Sequence, residues 1–162
     1  MNCLKIVALL GEGTYGKVYQ VEDPSGRHFA MKLMHHSDEQ TLMRAENEFA
    51  TQMFLSGHPN VTRMIGCSVT RNPALAVGIQ ELVSGGCLFN YVKRGRFTPQ
   101  VSRVLIYQVL IAVKYIHSLN FVHRDLKAEN ILVDGHLNLA NSAHWLKITD
   151  FGMAAEFHRP DG

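Results

Sequence analysis

A chain of 162 residues, 46% hydrophobic and 19% charged, is long enough to bury roughly 70% of its unfolded surface in one globular domain. Its formal charge of +2, without a long basic stripe, argues against a nucleic-acid surface, and no run of about 18 apolar residues exists to cross a membrane. Cys3, Cys67 and Cys87 are widely spaced and form no metal-ligand pair, which points to a reduced intracellular protein, cytoplasmic or nuclear, rather than a disulfide scaffold.

The first apolar run, Leu4 to Leu10, meets Gly11-Glu12 without a small-residue cleavage site, so a strand is expected there and not a secretory signal. Lys17 to Val21 reads as a second strand and His28 to Met34 as a third, with Asp23-Pro24-Ser25-Gly26 turning between them. Gly11-Glu12-Gly13-Thr14-Tyr15-Gly16 therefore joins two strands. A dinucleotide fingerprint needs glycines that open a helix, and the glycine pattern alone fits a plain hairpin equally well.

Ser37 is expected to cap the next helix, with Gln40 at its third position. Leu42, Ala45, Phe49, Met53 and Phe54 give that helix one apolar stripe up to Ser56. Gly57-His58-Pro59-Asn60 stops it. Strands at about 61–69 and 74–80 complete a five-stranded sheet carrying one helix, and Glu81 to Gly86 reads as a connector.

Beyond the connector, a short helix is expected from Leu88 to Lys93. Thr98 and Pro99 then fit the N-cap and first turn of a longer one. Its face is Val101, Val104, Leu105, Gln108, Val109, Ala112, Val113 and Ile116, a period near 3.6 and the clearest helix signal in the chain. The pattern ends at His117-Ser118-Leu119-Asn120. Phe121-Val122 leads into a loop, with short strands expected at Ile131 to Val133 and Leu146 to Ile148. No internal repeat and no low-complexity tract interrupts the chain.

Chemistry concentrates in His123-Arg124-Asp125-Leu126-Lys127-Ala128-Glu129-Asn130 and in Asp150-Phe151-Gly152. Together they supply a carboxylate to orient a hydroxyl, a nearby ammonium and two hard oxygen ligands suited to magnesium. An isolated Asp or Asn in such turns as often only caps a loop. Here the glycine-rich loop, Val18, Ala30-Met31-Lys32, Glu81, the His-Arg-Asp loop, Asn130 and Asp-Phe-Gly stand in one order. In that order they resemble the eukaryotic protein kinase family.

Lys127 with Glu129-Asn130 resembles the serine/threonine pattern. Glu81 to Gly86, Lys93-Arg94-Gly95-Arg96 and Asp150 to Ala155 are similar to the calcium/calmodulin-dependent and AMP-activated kinase group. The likeness covers essentially the whole chain but only the first part of the family's catalytic domain. It implies an α+β fold with a complete five-stranded N-lobe (1–80), a hinge (81–86) and an incomplete, mostly helical C-lobe (87–162) that stops soon after Asp-Phe-Gly.

The same resemblance implies ATP and magnesium as cofactors. Leu10, Gly11, Gly13, Tyr15, Gly16, Val18, Ala30, Lys32, Glu81 and Val83 are the implied nucleotide-binding set. Lys32 is expected to neutralise phosphates while a helix carboxylate orients it. That carboxylate is expected to be Glu48, with Glu46 as competitor and a solvent-facing glutamate as the plain alternative. Asp125 is implied to accept the substrate hydroxyl's proton, Lys127 to stabilise the transferring phosphoryl group, and Asn130 and Asp150 to hold magnesium. His123 is expected to brace the loop. A protein substrate is implied for intact relatives, with a regulatory protein as a further partner and neither nucleic acid nor membrane.

Three positions depart from the family pattern. Gln80 stands just before the hinge, where an apolar or small residue is usual, and makes the back of the adenine pocket more polar. Cys87 replaces a usual glutamate, and an insertion is expected at about 139–145. Two functions stay open at this level. One is an ATP-dependent serine/threonine kinase; the other is a noncatalytic ATP-binding or regulatory fragment, since the missing segments normally support the catalytic loop and cover the long helix.

Overall fold

The computed structural model describes residues 4–13, 16–35, 37–95, 97–135 and 145–157. Most of the expected insertion, together with Tyr15, Cys3 and His36, lies outside the described residues. The chain divides into two compact units, Met1–Met53 with Arg63–Leu82 and Phe54–Thr62 with Val83–Gly162.

In the first unit, strands β1 (Lys5–Gly13), β2 (Gly16–Glu22), β3 (His28–His35), β4 (Met64–Arg71) and β5 (Ala74–Glu81) form one sheet in the order β1-β2-β3-β5-β4. All four pairings are antiparallel. The β2–β3 turn is tied by Asp23, whose Oδ1 accepts the backbone N–H groups of Ser25 and Arg27 at 2.9 and 3.0 Å. Those bonds, led by one from the Ser25 hydroxyl, hold its carboxyl well below the usual carboxylate range.

Helix α1 (Glu39–Leu55) follows β3. Its start is capped by Asp38, which accepts the Thr41 N–H at 2.8 Å, and not by the expected Ser37. A carboxylate at this place meets both an unpaired N–H and the positive end of the helix dipole, so it outcompetes a hydroxyl one residue earlier. The Thr41 N–H in turn lowers the pKa of Asp38.

The buried side of α1 runs through Leu42, Ala45, Glu48, Phe49, Gln52 and Leu55. Met53 and Phe54, expected in the apolar stripe, are exposed. The helix turns its polar Glu48 and Gln52 inward instead, which a purely apolar period does not register. Met34, Ala45, Phe49, Met64 and Ala76 make the core of this unit.

The second unit contains α2 (Leu88–Lys93), α3 (Pro99–Ser118), β6 (Phe121–Val122), a 3-10 turn at Ala128–Asn130, β7 (Ile131–Val133), β8 (Leu146–Ile148) and β9 (Ala155–Glu156). Thr98 caps α3 as expected, its Oγ1 accepting the Val101 N–H at 3.3 Å with Pro99 in the first turn. Leu105, Gln108, Ala112 and Ile116 form the buried face of α3, while Val104 is exposed.

Gln108 is inside because its Oε1 accepts the Trp145 and Leu146 N–H groups at 2.8 and 2.9 Å and the Asn60 Nδ2 at 3.2 Å. These bonds satisfy the start of β8. One core joins Leu55, Val61, Ala112, Ile116, Ile148 and Phe151; another joins Leu105, Ile131, Val133, Trp145 and Leu146. The result is the expected α+β kinase-like arrangement, a five-stranded sheet with one helix and a second unit whose regular structure is mostly helical.

Candidate functional site

Each unit carries part of the implied residue set. In the first, strand register brings Val18, Lys32 and Gly78 side by side, and Ala30 beside Gln80. Alternation along the strands then puts Val18, Ala30, Lys32 and Gln80 on one face of the sheet. Gly11 pairs with Val18, and Gly13 with Gly16. A Cβ at Gly16 would collide with the Leu33 carbonyl oxygen, so glycine there lets β2 lie close to β3.

The Lys32 Nζ forms an ion pair with the Glu48 Oε1, with side-chain exposures of only 16% and 4%. Glu46 is exposed. The structure thus brings Lys32 together with Glu48 and leaves Glu46 outside the pair. Leu10 is exposed on β1. The Glu81 Oε1 accepts the Arg63 N–H at 2.7 Å, so its carboxylate serves the β4–β5 edge of this unit.

In the second unit, the loop between β6 and β7 gathers the other residues. Asn130 donates its Nδ2 to the Asp125 carbonyl oxygen at 2.9 Å and to its Oδ2 at 3.0 Å. The Lys127 Nζ lies 2.7 Å from the same Oδ2, with exposures of 49% for Lys127 and 37% for Asp125. The hydrogen bond from Lys127 is the main reason the Asp125 carboxyl lies below its ordinary pKa, aided by Asn130 and opposed by burial. Lys127 is shifted upward by the same partner. Both groups are therefore held charged.

The loop is braced from beneath. His123 is buried, with Nε2 3.0 Å from the Thr149 carbonyl oxygen and Nδ1 accepting the Asp125 N–H at 3.3 Å. Its ring packs 5.0 Å from that of Phe151, which belongs to the core. The Thr149 N–H donates to the Asn130 carbonyl oxygen at 3.0 Å, fixing the stretch before Asp150 against the turn that holds Asn130. The Arg124 Nε donates to the Met153 carbonyl oxygen at 2.6 Å. Arg124 and Asp150 both adopt left-handed backbone, with φ of 61° and 63°, a conformation that costs most residues about 1–2 kcal/mol.

The donor chemistry fits a hard cation. Asn130 spends its amide nitrogen on Asp125, so its amide oxygen is the atom available to a metal, and Asp150 supplies a carboxylate. Among the described residues no group of three His, Cys, Asp or Glu is placed to hold a metal; this candidate set relies on an asparagine.

Sequence reasoning missed several supports. The bond from Thr149 to Asn130 and the pairing of β6 with β9 involve backbone alone, which leaves no side-chain signature. Val83 is buried, and the Gly85 N–H donates to the Val133 carbonyl oxygen at 2.9 Å, so part of the expected hinge is pinned to β7 within the second unit. The burial of Gln52 against Gln80 was also missed. The signal available was a polar residue one turn after Glu48.

A strand-glycine-strand sheet with a buried Lys–Glu pair, and a His-Arg-Asp loop bonded to an asparagine, are features of a kinase-like fold. The family model described as "Protein kinase domain" matches residues 4–161, and the chain belongs to the protein kinase family. It is 37% identical over 164 residues to CBL-interacting protein kinase 19 of Oryza sativa subsp. japonica, covering 95% of this chain and 30% of that protein. To CBL-interacting protein kinase 15 of the same source it is 37% identical over 171 residues, covering 100% of this chain and 37% of the relative. To human NUAK family SNF1-like kinase 2 it is 36% identical over 154 residues, covering 93% of this chain and 23% of the relative. The chain therefore spans between 23% and 37% of the length of these curated relatives.

Proposed function

We propose that this chain carries the ATP-binding and catalytic-loop part of a protein serine/threonine kinase of the calcium/calmodulin-dependent and AMP-activated type. The observation that carries the reading is the Asp125 carboxylate held ionised by Lys127 and Asn130. Such a carboxylate is a poor base toward an intact hydroxyl, yet it orients one and takes its proton as the new bond to phosphorus forms. Lys127 is half-exposed and exchanges partners cheaply, so it follows the charge that develops on the transferring phosphoryl group.

Lys32, oriented by Glu48, binds nucleotide phosphates, with Leu10, Gly11, Gly13, Tyr15, Gly16, Val18, Ala30, Glu81 and Val83 as the rest of the nucleotide-binding set. Asn130 and Asp150 hold magnesium, which when bound neutralises phosphate charge. The acceptor is a serine or threonine hydroxyl of a protein, and a regulatory protein is a further partner. Cys67 and Cys87 are free thiols, which supports a reducing, intracellular setting.

Calorimetry of magnesium-ATP against the chain and its Lys32→Met variant tests the binding half. Micromolar binding that weakens in the variant is expected. Phosphorylation of a serine peptide, lost in Asp125→Asn, tests the transfer half. Binding without transfer in the parent chain would replace the kinase reading with that of a noncatalytic ATP-binding or regulatory fragment; no binding at all would overturn both.

A further inference from the structure

Helix α1 turns two polar side chains into an otherwise apolar interface. Glu48 meets Lys32 on β3, and Gln52, one turn later, donates its Nε2 to the Gln80 Oε1 on β5 at 2.6 Å. Both glutamines are buried. Between them Phe49 lies against Gly78, where an added Cβ would sit 2.7 Å from the Phe49 ring. The strand partners alternate in the same order, since Lys32 is paired with Gly78 and Ala30 with Gln80.

We propose that Gln52 and Gln80 form a positioning pair for the Lys32–Glu48 ion pair, fixing the rotation and register of α1 on the sheet. An apolar contact tolerates sliding with little loss, whereas a hydrogen bond weakens steeply once its length or angle departs from the optimum. A helix rotation that withdraws Glu48 from Lys32 also withdraws Gln52, which lies on the same face at i+4, from Gln80. Because both side chains are buried, breaking the bond between Gln52 and Gln80 gives up a hydrogen bond that water does not replace. The Gln pair thus makes α1 resist turning away where a leucine pair would only lubricate it. Its relevance to nucleotide binding rests on the assignment of Lys32 to phosphate.

The test separates positioning from packing. In Gln52→Met/Gln80→Met both amides of the pair are removed while volume and flexibility are nearly kept. The Lys32 13Cε NMR resonance, read without nucleotide, reports whether its ammonium still faces Glu48, with Glu48→Gln as reference. The expected result is a folded double variant whose Lys32 resonance moves toward that reference. Magnesium-ATP affinity should fall about tenfold, the size typical of losing a group that orients a ligand-holding side chain.

A folded double variant with both the resonance and the affinity of the parent would overturn the proposal and leave the pair as packing. Where the double variant does not fold, Gln80→Asn, one methylene too short for the bond, carries the same comparison. If the parent chain binds no nucleotide, the phosphate assignment falls while the Lys32 resonance alone still decides the positioning role.

Discussion

Each unit holds a lysine–carboxylate pair among the implied site residues, and the two pairs are built oppositely. Lys32–Glu48 is nearly closed off from water, with a core phenylalanine beside it. Lys127–Asp125 sits half in solvent on a loop. A buried pair is costly to desolvate and costly to break, so it records the position of the helix that bears it. An exposed pair is screened and weak, so it opens readily to another ligand. One pair is suited to hold geometry and the other to hand charge on.

The comparison breaks most clearly in Glu48→Ala, which leaves the Lys32 ammonium without its carboxylate. A loss of roughly 3 kcal/mol is expected in urea unfolding, whereas Lys127→Ala should leave the urea midpoint nearly in place. Equal effects would erase the distinction. Gly78→Ala attacks the first pair indirectly by pushing the Phe49 ring away from the sheet, and should destabilise by about 1–3 kcal/mol. The same change should leave the Asp125 titration unmoved.

Lys127→Ala sharpens the comparison from the other side. Since the lysine's hydrogen bond is the first cause of the Asp125 depression, its removal should raise the Asp125 pKa toward the ordinary value of about 3.9. Carboxyl 13C NMR across an acid titration reads this directly.

The smallest effect is expected at the start of α1. The folded pKa of Asp38 is depressed, so its cap contributes stability above its unfolded value of about 3.9 and loses that contribution as pH falls through the folded value. Asp38→Asn, which retains a capping oxygen without the charge, should flatten that limb of a thermal-stability profile against pH.

Elements with a strong local signature were legible in the sequence. The bounds of α2, β7 and β8 match the expected Leu88 to Lys93, Ile131 to Val133 and Leu146 to Ile148. The Thr98-Pro99 start of α3 also follows from local chemistry. What escaped was decided by competition or by partners distant in sequence. Ser37 and Asp38 are both good caps, and only the helix geometry chooses between them. Met53 and Phe54 look like core residues until Gln52 finds Gln80, 28 positions away.

The ordered motifs named the candidate site residues. They did not show that Asn130 turns its nitrogen to Asp125, or that Thr149 and His123 bind the two loops together within the second unit. Such bonds depend on backbone placement, which motif spacing implies only through the family.

The left-handed backbone at Asp150 has a consequence for how this chain drifts under mutation. Aspartate enters that conformation less easily than glycine, and asparagine enters it at least as readily. Replacement of Asp150 by either removes the carboxylate while leaving the backbone as comfortable as before, or more so. Phe151 keeps its place in the core and continues to anchor the segment. Backbone conformation therefore exerts no selection for the acid at this position; what keeps it is what its carboxylate does.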